Sequence, residues 1–390
     1  MALVNSAKFK IGDLPKILKH GFRNNLMTHR FKKETMALSV AEYLPSLNIA
    51  FEKLHKYKNT NINSFLNKEV ITPNNNRTQF HDHVSEAQPI DFHIRDGAVI
   101  QGFNAKIKHA FKVHDLYSSV STMQKYQSFF EPNNDISDLG FLNTIMPLAI
   151  KMSNYKRENL VLKYDVEAND LHCDTIVIDV GKNSKLDLTE LIGDSGSHIL
   201  NVFYILRENS SLTLNRNITN SNTYINSKVI QEPGSRFAMS CTTGDIDFSY
   251  QNIDVDSYHN CHTYIDNRNA LTGDRINNFV VNINHLGRES FSNIDSKTIV
   301  DDNSINYFKG NIFIDKEAEN INAHMLNKNL QISKKAKVYT EPTLDILNKE
   351  VVCSHGCTIS NIDENELYYL QTKGLDKTQS INILKDAFLK

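Results

Sequence analysis

The feature that most restricts the fold of this chain is a two-residue hydrophobic period that runs from about residue 160 to about residue 350. The stretches DTIVIDVG, SSLTLNRNI, NNFVVNINH and AKVYTEPTLDILN alternate apolar with polar residues, or are short runs of β-branched residues, as β-strands do. Helical periodicity is missing throughout this region. A Rossmann fold or a TIM barrel needs a helix after each strand, so both architectures are excluded.

A weak repeat within the region indicates how the strands are arranged. In each copy an apolar residue closes one strand, polar residues and a small or turn-forming residue follow, and an alternating strand begins. The copies are VGKNSKLDL, LRENSSLTL, IQEPGSRFAM, VDDNSINYF, IDKEAENIN and ISKKAKVYT. The first three lie about 25 residues apart, and the later ones are closer and uneven. This pattern favours a β-solenoid, whose rungs stack about 4.8 Å apart, over the alternative of an antiparallel sandwich or barrel.

Helical spacing flanks the strand region on both sides. It predicts helices within residues 14–22 and 42–57, and beyond the strands Asp363 and Asp376 are placed to cap two more helices. Gly374 is a natural residue to end the first of these. The predicted units are an N-terminal helical domain (1–85), a β core (86–350, with a helical insertion near 114–130) and a C-terminal helical domain (351–390).

The composition of the chain argues against several classes of protein. The chain has 43 Lys and Arg against 45 Asp and Glu, which argues against a primary role in nucleic-acid binding. No apolar run approaches the roughly 18–20 residues of a membrane helix, and the first residues lack the apolar core of a signal peptide. Five cysteines are too few for a disulfide scaffold. We therefore expect a cytoplasmic protein with no membrane segment and no nucleic-acid partner.

The segment CSHGCT places Cys353, His355 and Cys357 at alternate positions, so on an extended strand they share one face. Alternate residues are separated by about 6.6 Å of backbone, and the two cysteines by about 13 Å. Metal–sulfur and metal–nitrogen bonds are only about 2.0–2.3 Å long, so Cys353 and His355 could share one metal. All three could do so only if Gly356 bends the chain. The motif therefore indicates part of a site that another segment or another chain completes, unless the three residues simply fill the inside of a strand.

Two further clusters allow a chemical or a plain structural interpretation. In DSYHNCHTYID, His259 and Cys261 share one strand face and His262 takes the other, and the three converge only if the segment is a turn. Paired carboxylates on stacked rungs could perform acid–base chemistry on a polysaccharide or bind calcium. The segment that carries them is DIDFSYQNIDVD, with Asp245, Asp247, Asp254 and Asp256. Aspartates near strand turns are more often simply solvated.

Residues 301–375 resemble the C-terminal part of the SufB/SufD family of iron–sulfur cluster assembly proteins. Several short motifs occur in the family's order over about seventy residues. They are FKGNI (308–312), NKNL (327–330), TEP (340–342), CSHG (353–356), LYYL (367–370) and the pair Gly374 and Leu375. Upstream, His285 and Ser292 are similar to the family's His and Ser strand. The CSHG form resembles the SufD branch.

The resemblance implies a right-handed parallel β-helix core with N-terminal and C-terminal α-helical domains. It also implies a non-catalytic scaffold subunit that pairs with a SufB-like chain through the β-helix, with ATP hydrolysed on a docked SufC-type ATPase. His355, with Cys353 beside it, would lie at the interface between the scaffold chains, where iron or a nascent cluster is held transiently and no cofactor is bound stably. The isolated chain could form a homodimer. The residues implied in ATPase docking are Glu366, Leu367, Tyr368, Tyr369, Leu370 and Leu375.

Two alternative functions stay open on the sequence. The chain could be the SufB-like primary scaffold, with Cys241 or Cys261 as a cluster ligand. It could instead be a β-helix polysaccharide lyase or hydrolase that uses the carboxylates of residues 245–256.

Overall fold

Two long β-sheets form the body of the protein in the computed structural model. Successive strands alternate between the sheets, so each turn of the chain adds one strand to each, and the architecture is the parallel β-helix that the sequence predicts. The structure describes residues 8–10, 60, 62–67, 69–71, 90–95, 98–103, 108–115, 144, 147–165, 171–193, 196–219, 222–244 and 246–390.

The elements are numbered in chain order. The strands are β1 (Lys8–Lys10), β2 (Glu69–Ile71), β3 (Phe92–Arg95), β4 (Ala98–Gln101), β5 (Phe111–Asp115), β6 (Leu148–Met152), β7 (Arg157–Asp165), β8 (Leu171–Val180), β9 (Lys185–Gly193), β10 (Ser197–Leu206), β11 (Ser211–Ile218), β12 (Asn222–Gln231), β13 (Arg236–Thr243), β14 (Phe248–Ser257), β15 (His262–Leu271), β16 (Ile276–His285), β17 (Phe291–Val300), β18 (Ile305–Ile314), β19 (Ile321–Gln331), β20 (Lys337–Ile346) and β21 (Val351–Ser360). The helices are α1 (Ile62–Leu66), α2 (Glu364–Thr372) and α3 (Lys377–Leu389).

The sheets are parallel along almost their whole length. Even-numbered strands from β6 to β20 pair in order in what we call the first sheet, and odd-numbered strands from β7 to β21 pair in order in the second sheet. Antiparallel pairs occur only at the first end of the described stack, where β5 joins β6 and β3 joins β4. The register is constant, so a position in one rung lies directly over the same position in the next, as Leu188, Leu214 and Met239 do.

The hydrophobic core fills the space between the two sheets. In β9 and β11 the residues Leu186, Leu188, Leu212 and Leu214 point inward and are fully buried, while their neighbours along each strand are more exposed. This alternation of buried and more exposed side chains corresponds to the two-residue hydrophobic period of the sequence. Full burial of one such side chain stabilises the fold by about 1.5–3 kcal/mol, but only when a neighbouring rung covers it.

The repeated turn motif forms a seam along one corner of the solenoid. Asn183 and Asn209 have φ of 53° and 55°, and each donates its backbone N–H to a carbonyl of the next rung over 3.0 Å. A left-handed backbone favours Gly and Asn, which explains the turn residue in the repeat. The seam consists of Tyr155, Asn183, Asn209, Gly234, Asn260, Glu289 and Asn320. The copies VDDNSINYF and ISKKAKVYT lie at the opposite corner, which is why the later copies are unevenly spaced.

The N-terminal predictions fall mostly outside the described residues. The predicted helices at 14–22 and 42–57 lie there, and so does the predicted helical insertion beyond residue 115, whose first two positions are in strand β5. The described part of the N-terminal region includes α1. Its Phe65 stacks on Phe248, with ring centroids 5.2 Å apart, on the outer face of the first sheet.

The C-terminal helices agree with the sequence prediction. Asp363 accepts a hydrogen bond from the backbone N–H of Asn365 over 2.7 Å, Asp376 forms a capping box with Gln379, and Gly374 ends α2 with a φ of 92°. The boundary differs from the predicted one at residue 351, because β21 pairs with β19 and helix begins only at Glu364. No helix in the described part of the chain is long and apolar enough to cross a membrane.

We predict that Gly287→Ala destabilises the protein by about 1–3 kcal/mol, the usual cost of overpacking. A Cβ at this position would lie 2.6 Å from the backbone nitrogen of His259 in the preceding rung. Gly102→Ala is the matched control, because no heavy atom lies within 4 Å of its added Cβ. Urea unfolding followed by circular dichroism measures both free energies, and equal values for the two variants would contradict this account.

Candidate functional site

Strand β21 carries the CSHGCT segment and ends the second sheet. It is extended through Gly356 and pairs with β19 along its length, so the bend that would bring three donors together is absent. Cys353 lies over Ala323, His355 over Met325 and Cys357 over Asn327. These β19 residues are buried and point into the solenoid. All three donor residues therefore stand on the inner face of the last rung.

The end of the solenoid leaves that inner face open. Strands β20 and β21 are the last in their sheets, and within the described residues no further strand stacks on them. His355 and Cys357 are exposed although the same inner positions in earlier rungs are buried. We call the surface formed by the inner faces of β20 and β21 the open end. Imidazole and thiolate groups presented there suit a transition metal such as iron or zinc.

The two cysteines of the open end differ in their surroundings. Cys353 packs against the hydrophobic core beside Val351 and Leu344, and burial raises the pKa of its thiol above the ordinary value. Cys357 is exposed, and its Sγ donates to Thr340 Oγ1 of the opposite sheet over 3.3 Å. The open end thus holds one packed thiol and one accessible thiol.

The donors of the open end do not form a complete coordination site. Nowhere in the described ranges do three or more His, Cys, Asp or Glu side chains converge in an arrangement that could hold a metal ion. On the extended strand, His355 and one neighbouring cysteine are close enough to share a metal, and the second cysteine is about 13 Å from the first. A metal bound here would need further ligands from outside the described residues.

The cluster at 256–266 is structural. His259 lies in the turn before β15, and its Nδ1 accepts the backbone N–H of Arg288 over 3.0 Å. Cys261 is buried, and its Sγ donates to backbone carbonyls, including that of Glu232 over 3.4 Å. It takes the place that serine holds directly after the seam residue in four other rungs. The residues at this place are Ser184, Ser210, Ser235, Cys261 and Ser290.

Two of the four aspartates considered for polysaccharide chemistry, Asp254 and Asp256, share one lysine and one amide as neighbours. Lys228 Nζ lies 3.1 Å from Asp254 and 2.8 Å from Asp256, and Asn284 Nδ2 donates to both carboxylates. The four side chains form a ladder on the outer face of the first sheet. Asp245 lies outside the described residues. Burial raises the pKa of Asp254 above its ordinary value, but both carboxylates are already engaged by Lys228 and Asn284, which favours a structural role for the pair.

The solenoid interior contains a buried polar cluster that the sequence analysis missed. Arg216 and Glu190 are fully buried and form an ion pair of 2.8 Å, and Tyr204 donates to the same carboxylate over 2.6 Å. Cys241 is buried next in the same inner row, and burial raises the pKa of its thiol to about 11. The signal was present, because Glu190 and Arg216 each interrupt an apolar face of their strand.

One inner row of the second sheet is polar from this cluster to the open end. Its members occupy the same register position in seven consecutive strands. They are Glu190, Arg216, Cys241, Asn267, Ser296, Asn327 and Cys357. Cys357 is therefore the exposed end of a row that is otherwise buried.

His285 and Ser292, noted in the sequence, are also interior. His285 Nε2 lies 2.9 Å from Ser292 Oγ, and both residues are fully buried. Burial lowers the pKa of His285 to about 4, so the ring is neutral near pH 7. The pair joins β16 of one sheet to β17 of the other inside the core and does not reach the open end.

Comparison with known proteins adds a family match. The family model described as SUF system FeS cluster assembly, SufBD core domain, matches residues 159–388. An iron–sulfur cluster assembly SufBD family protein of Synechocystis is 40% identical over 92 residues, which are 24% of this chain and 20% of that protein. SufD of Escherichia coli is 36% identical over 92 residues, 24% of this chain and 22% of its own length. SufD of Bacillus subtilis is 28% identical over 129 residues, 33% and 30% of the two lengths. The matches thus span less than a third of these relatives, and two of the three are named for the branch that the CSHG motif predicts.

We predict that Glu190→Gln lowers the free energy of unfolding by about 3–5 kcal/mol, because it leaves the buried Arg216 charge unpaired. The double variant Glu190→Gln with Arg216→Met removes both charges and should recover much of the loss. Chemical denaturation measures the free energy of unfolding of each variant. If the double variant loses as much free energy of unfolding as Glu190→Gln and Arg216→Met lose in sum, the ion pair is not the source of the effect.

We predict that His285 makes the protein less stable as the pH falls. An unfolded histidine gains its proton near pH 6.5, whereas the folded His285 does so only near pH 4. Between these values the unfolded state binds the extra proton, so the free energy of unfolding decreases by about 3 kcal/mol from this residue and levels off below pH 4. Urea unfolding at a series of pH values should show a shallower dependence in His285→Gln. An unchanged dependence would contradict the assignment.

Proposed function

The chain belongs to the SufBD family of SUF system iron–sulfur cluster assembly proteins, and from this membership we propose that it is a scaffold subunit without catalytic activity of its own. ATP hydrolysis is assigned to a SufC-type partner, in keeping with the lack of a GxxxxGK[ST] phosphate-binding loop in the sequence. Iron or a nascent cluster is the cargo and is held transiently. The five cysteines are free thiols, which is compatible with the proposed location in a reducing cytosol.

The observation that carries the proposal is the open end. It presents His355 with two thiols on a rung whose inner face no other described strand covers, and the described residues alone do not complete the donor set. A scaffold that assembles a cluster between two subunits needs this arrangement, because each subunit supplies only part of the coordination sphere. His355 would bind the metal through its neutral imidazole.

A SufB-like chain is the proposed partner at the open end. Strands β20 and β21 each have one edge without a neighbouring strand in the described part of the protein, and such edges readily pair with another sheet. Apolar side chains are exposed beside these edges, among them Leu347 and Val352, the latter 63% exposed. Exposed apolar groups that adjoin an unpaired sheet edge are typical of a protein interface. The isolated chain could use the same surface to form a homodimer.

The C-terminal helices are the proposed docking site for the ATPase. Tyr368 and Tyr369 are 70% and 59% exposed on α2, and Glu366 is exposed beside them. Leu367, Leu370 and Leu375 are half-buried and support this surface. Helix α3 is held to the solenoid by Lys385, whose Nζ lies 2.9 Å from Asp301 at the end of β17. A movement of the ATPase would thus be transmitted through α3 to the β-helix and would open the interface between the scaffold chains.

The alternative of a SufB-like primary scaffold has less support. Cys241 and Cys261 are both buried and hydrogen bonded, Cys241 to Gln251 and Cys261 to backbone carbonyls. Neither thiol is presented to a surface where a cluster could be assembled.

We predict that His355→Ala reduces cluster assembly by at least tenfold in a complex reconstituted with a SufB-like chain and a SufC-type ATPase. The loss follows because His355 is exposed at the proposed interface and supplies one metal ligand. Assembly is measured by iron–sulfur absorbance and by transfer to an apo-ferredoxin.

Two controls make this result specific. The complex must keep its composition in size-exclusion chromatography, and His324→Ala should assemble clusters normally, because His324 lies on the outer face of β19 and contacts Ser354. Full activity of His355→Ala would rule out the proposed role.

A further inference from the structure

Two cysteines flank His355 at the open end. The surroundings of each thiol indicate which of them can bind a metal together with the imidazole. Cys353 and Cys357 are both two residues from His355 on the same strand face. Either could share a metal with the imidazole, since alternate residues are separated by about 6.6 Å of backbone. The two cysteines are too far apart to join the same metal on an extended strand. This question arises only within the function proposed above.

Cys353 acts as part of the core. It lies over Ala323, whose small side chain leaves room for the thiol, and it packs with Val351 and Leu344 against the buried apolar residues. A half-buried cysteine in such a place behaves as a small apolar residue. Turning Cys353 out toward a metal would uncover Ala323 and lose this packing.

Cys357 has the opposite surroundings. It is exposed, and its contacts are two weak hydrogen bonds, to Thr340 Oγ1 over 3.3 Å and to Asn327 Oδ1 over 3.9 Å. These bonds cost little to exchange for a metal–sulfur bond. The contact with Thr340 also directs the thiol across the gap between the sheets, into the open end, where a partner would bring its own ligands.

We propose that His355 and Cys357 are the two metal ligands that this chain contributes at the open end, and that Cys353 is a packing residue. When the metal–sulfur bond forms, the Cys357 thiol releases its proton to solvent and no electron is transferred. The pair supplies one nitrogen and one sulfur, and the partner completes the coordination sphere. Cys357 thereby gains a function that the family motif CSHG does not include.

Metal protection of the thiols tests the proposal on the isolated full-length chain. The protein is kept under argon with a phosphine reductant, iodoacetamide is added with and without cobalt(II), and the alkylation rate of each cysteine is followed by peptide mass spectrometry. We expect cobalt(II) to slow the alkylation of Cys357 at least tenfold and to leave the rate at Cys353 unchanged. His355→Ala should abolish the protection of Cys357.

Matched variants separate ligand loss from structural damage. Cys357→Ser should lose cobalt binding and keep its thermal stability, whereas Cys353→Ser should keep cobalt binding and unfold at a lower temperature. Protection of Cys353 in place of Cys357, or no protection of Cys357 up to millimolar cobalt(II), would overturn the proposal. The alkylation experiment tests only which residues of this chain bind metal, so a negative result there does not contradict the proposed scaffold function. That function is contradicted by a different result, namely cluster assembly at the full rate by His355→Ala.

Discussion

The structure depends on the in-register stacking of inner side chains from one rung to the next. The two strands of a single rung face each other but leave their inner side chains open above and below, so these side chains become fully buried only when further rungs stack on both sides. Constant register makes this possible, because it places Leu188 next to Leu214 and Leu214 next to Met239 in neighbouring rungs. The same rule produces the open end. Where the stacking of the described strands stops, no further described rung covers the inner residues of β20 and β21, and these include an imidazole and two thiols.

The interior shows that stacking accommodates polar groups when they satisfy one another. Glu190, Arg216 and Tyr204 form a closed set of hydrogen bonds in the middle of the solenoid, and amide side chains such as Asn267 continue the polar row. Each such group would cost several kcal/mol if it were buried alone. The polar row therefore depends on the constant register as much as the apolar rows do.

Much of the fold was predictable because it follows from local periodicity. The two-residue period gave the strands, and Asn183 and Asn209 marked left-handed turns that only a few residue types adopt readily. The face shared by Cys353, His355 and Cys357 followed from strand geometry alone. Cys261 was harder to interpret, since its thiol replaces a serine at a repeated corner and the sequence does not show which corner it occupies. The ion pair of Glu190 and Arg216 joins residues from different rungs, and only the register, which a single sequence does not specify, brings them together.

The seam of left-handed residues also limits how a chain of this kind can change its length. Each seam residue donates its N–H to the following rung, so the corners must remain aligned over many turns. One extra residue within a strand would turn every later inward side chain outward until the next turn. Rungs nevertheless differ in length, as the wider spacing from Asn260 to Glu289 and on to Asn320 shows: β15 has 10 residues where β13 has 8, and the turn between β18 and β19 is longer than the earlier turns of the seam. Evolution of such a protein is therefore free to lengthen corners or to duplicate whole rungs, but point insertions inside strands are strongly disfavoured.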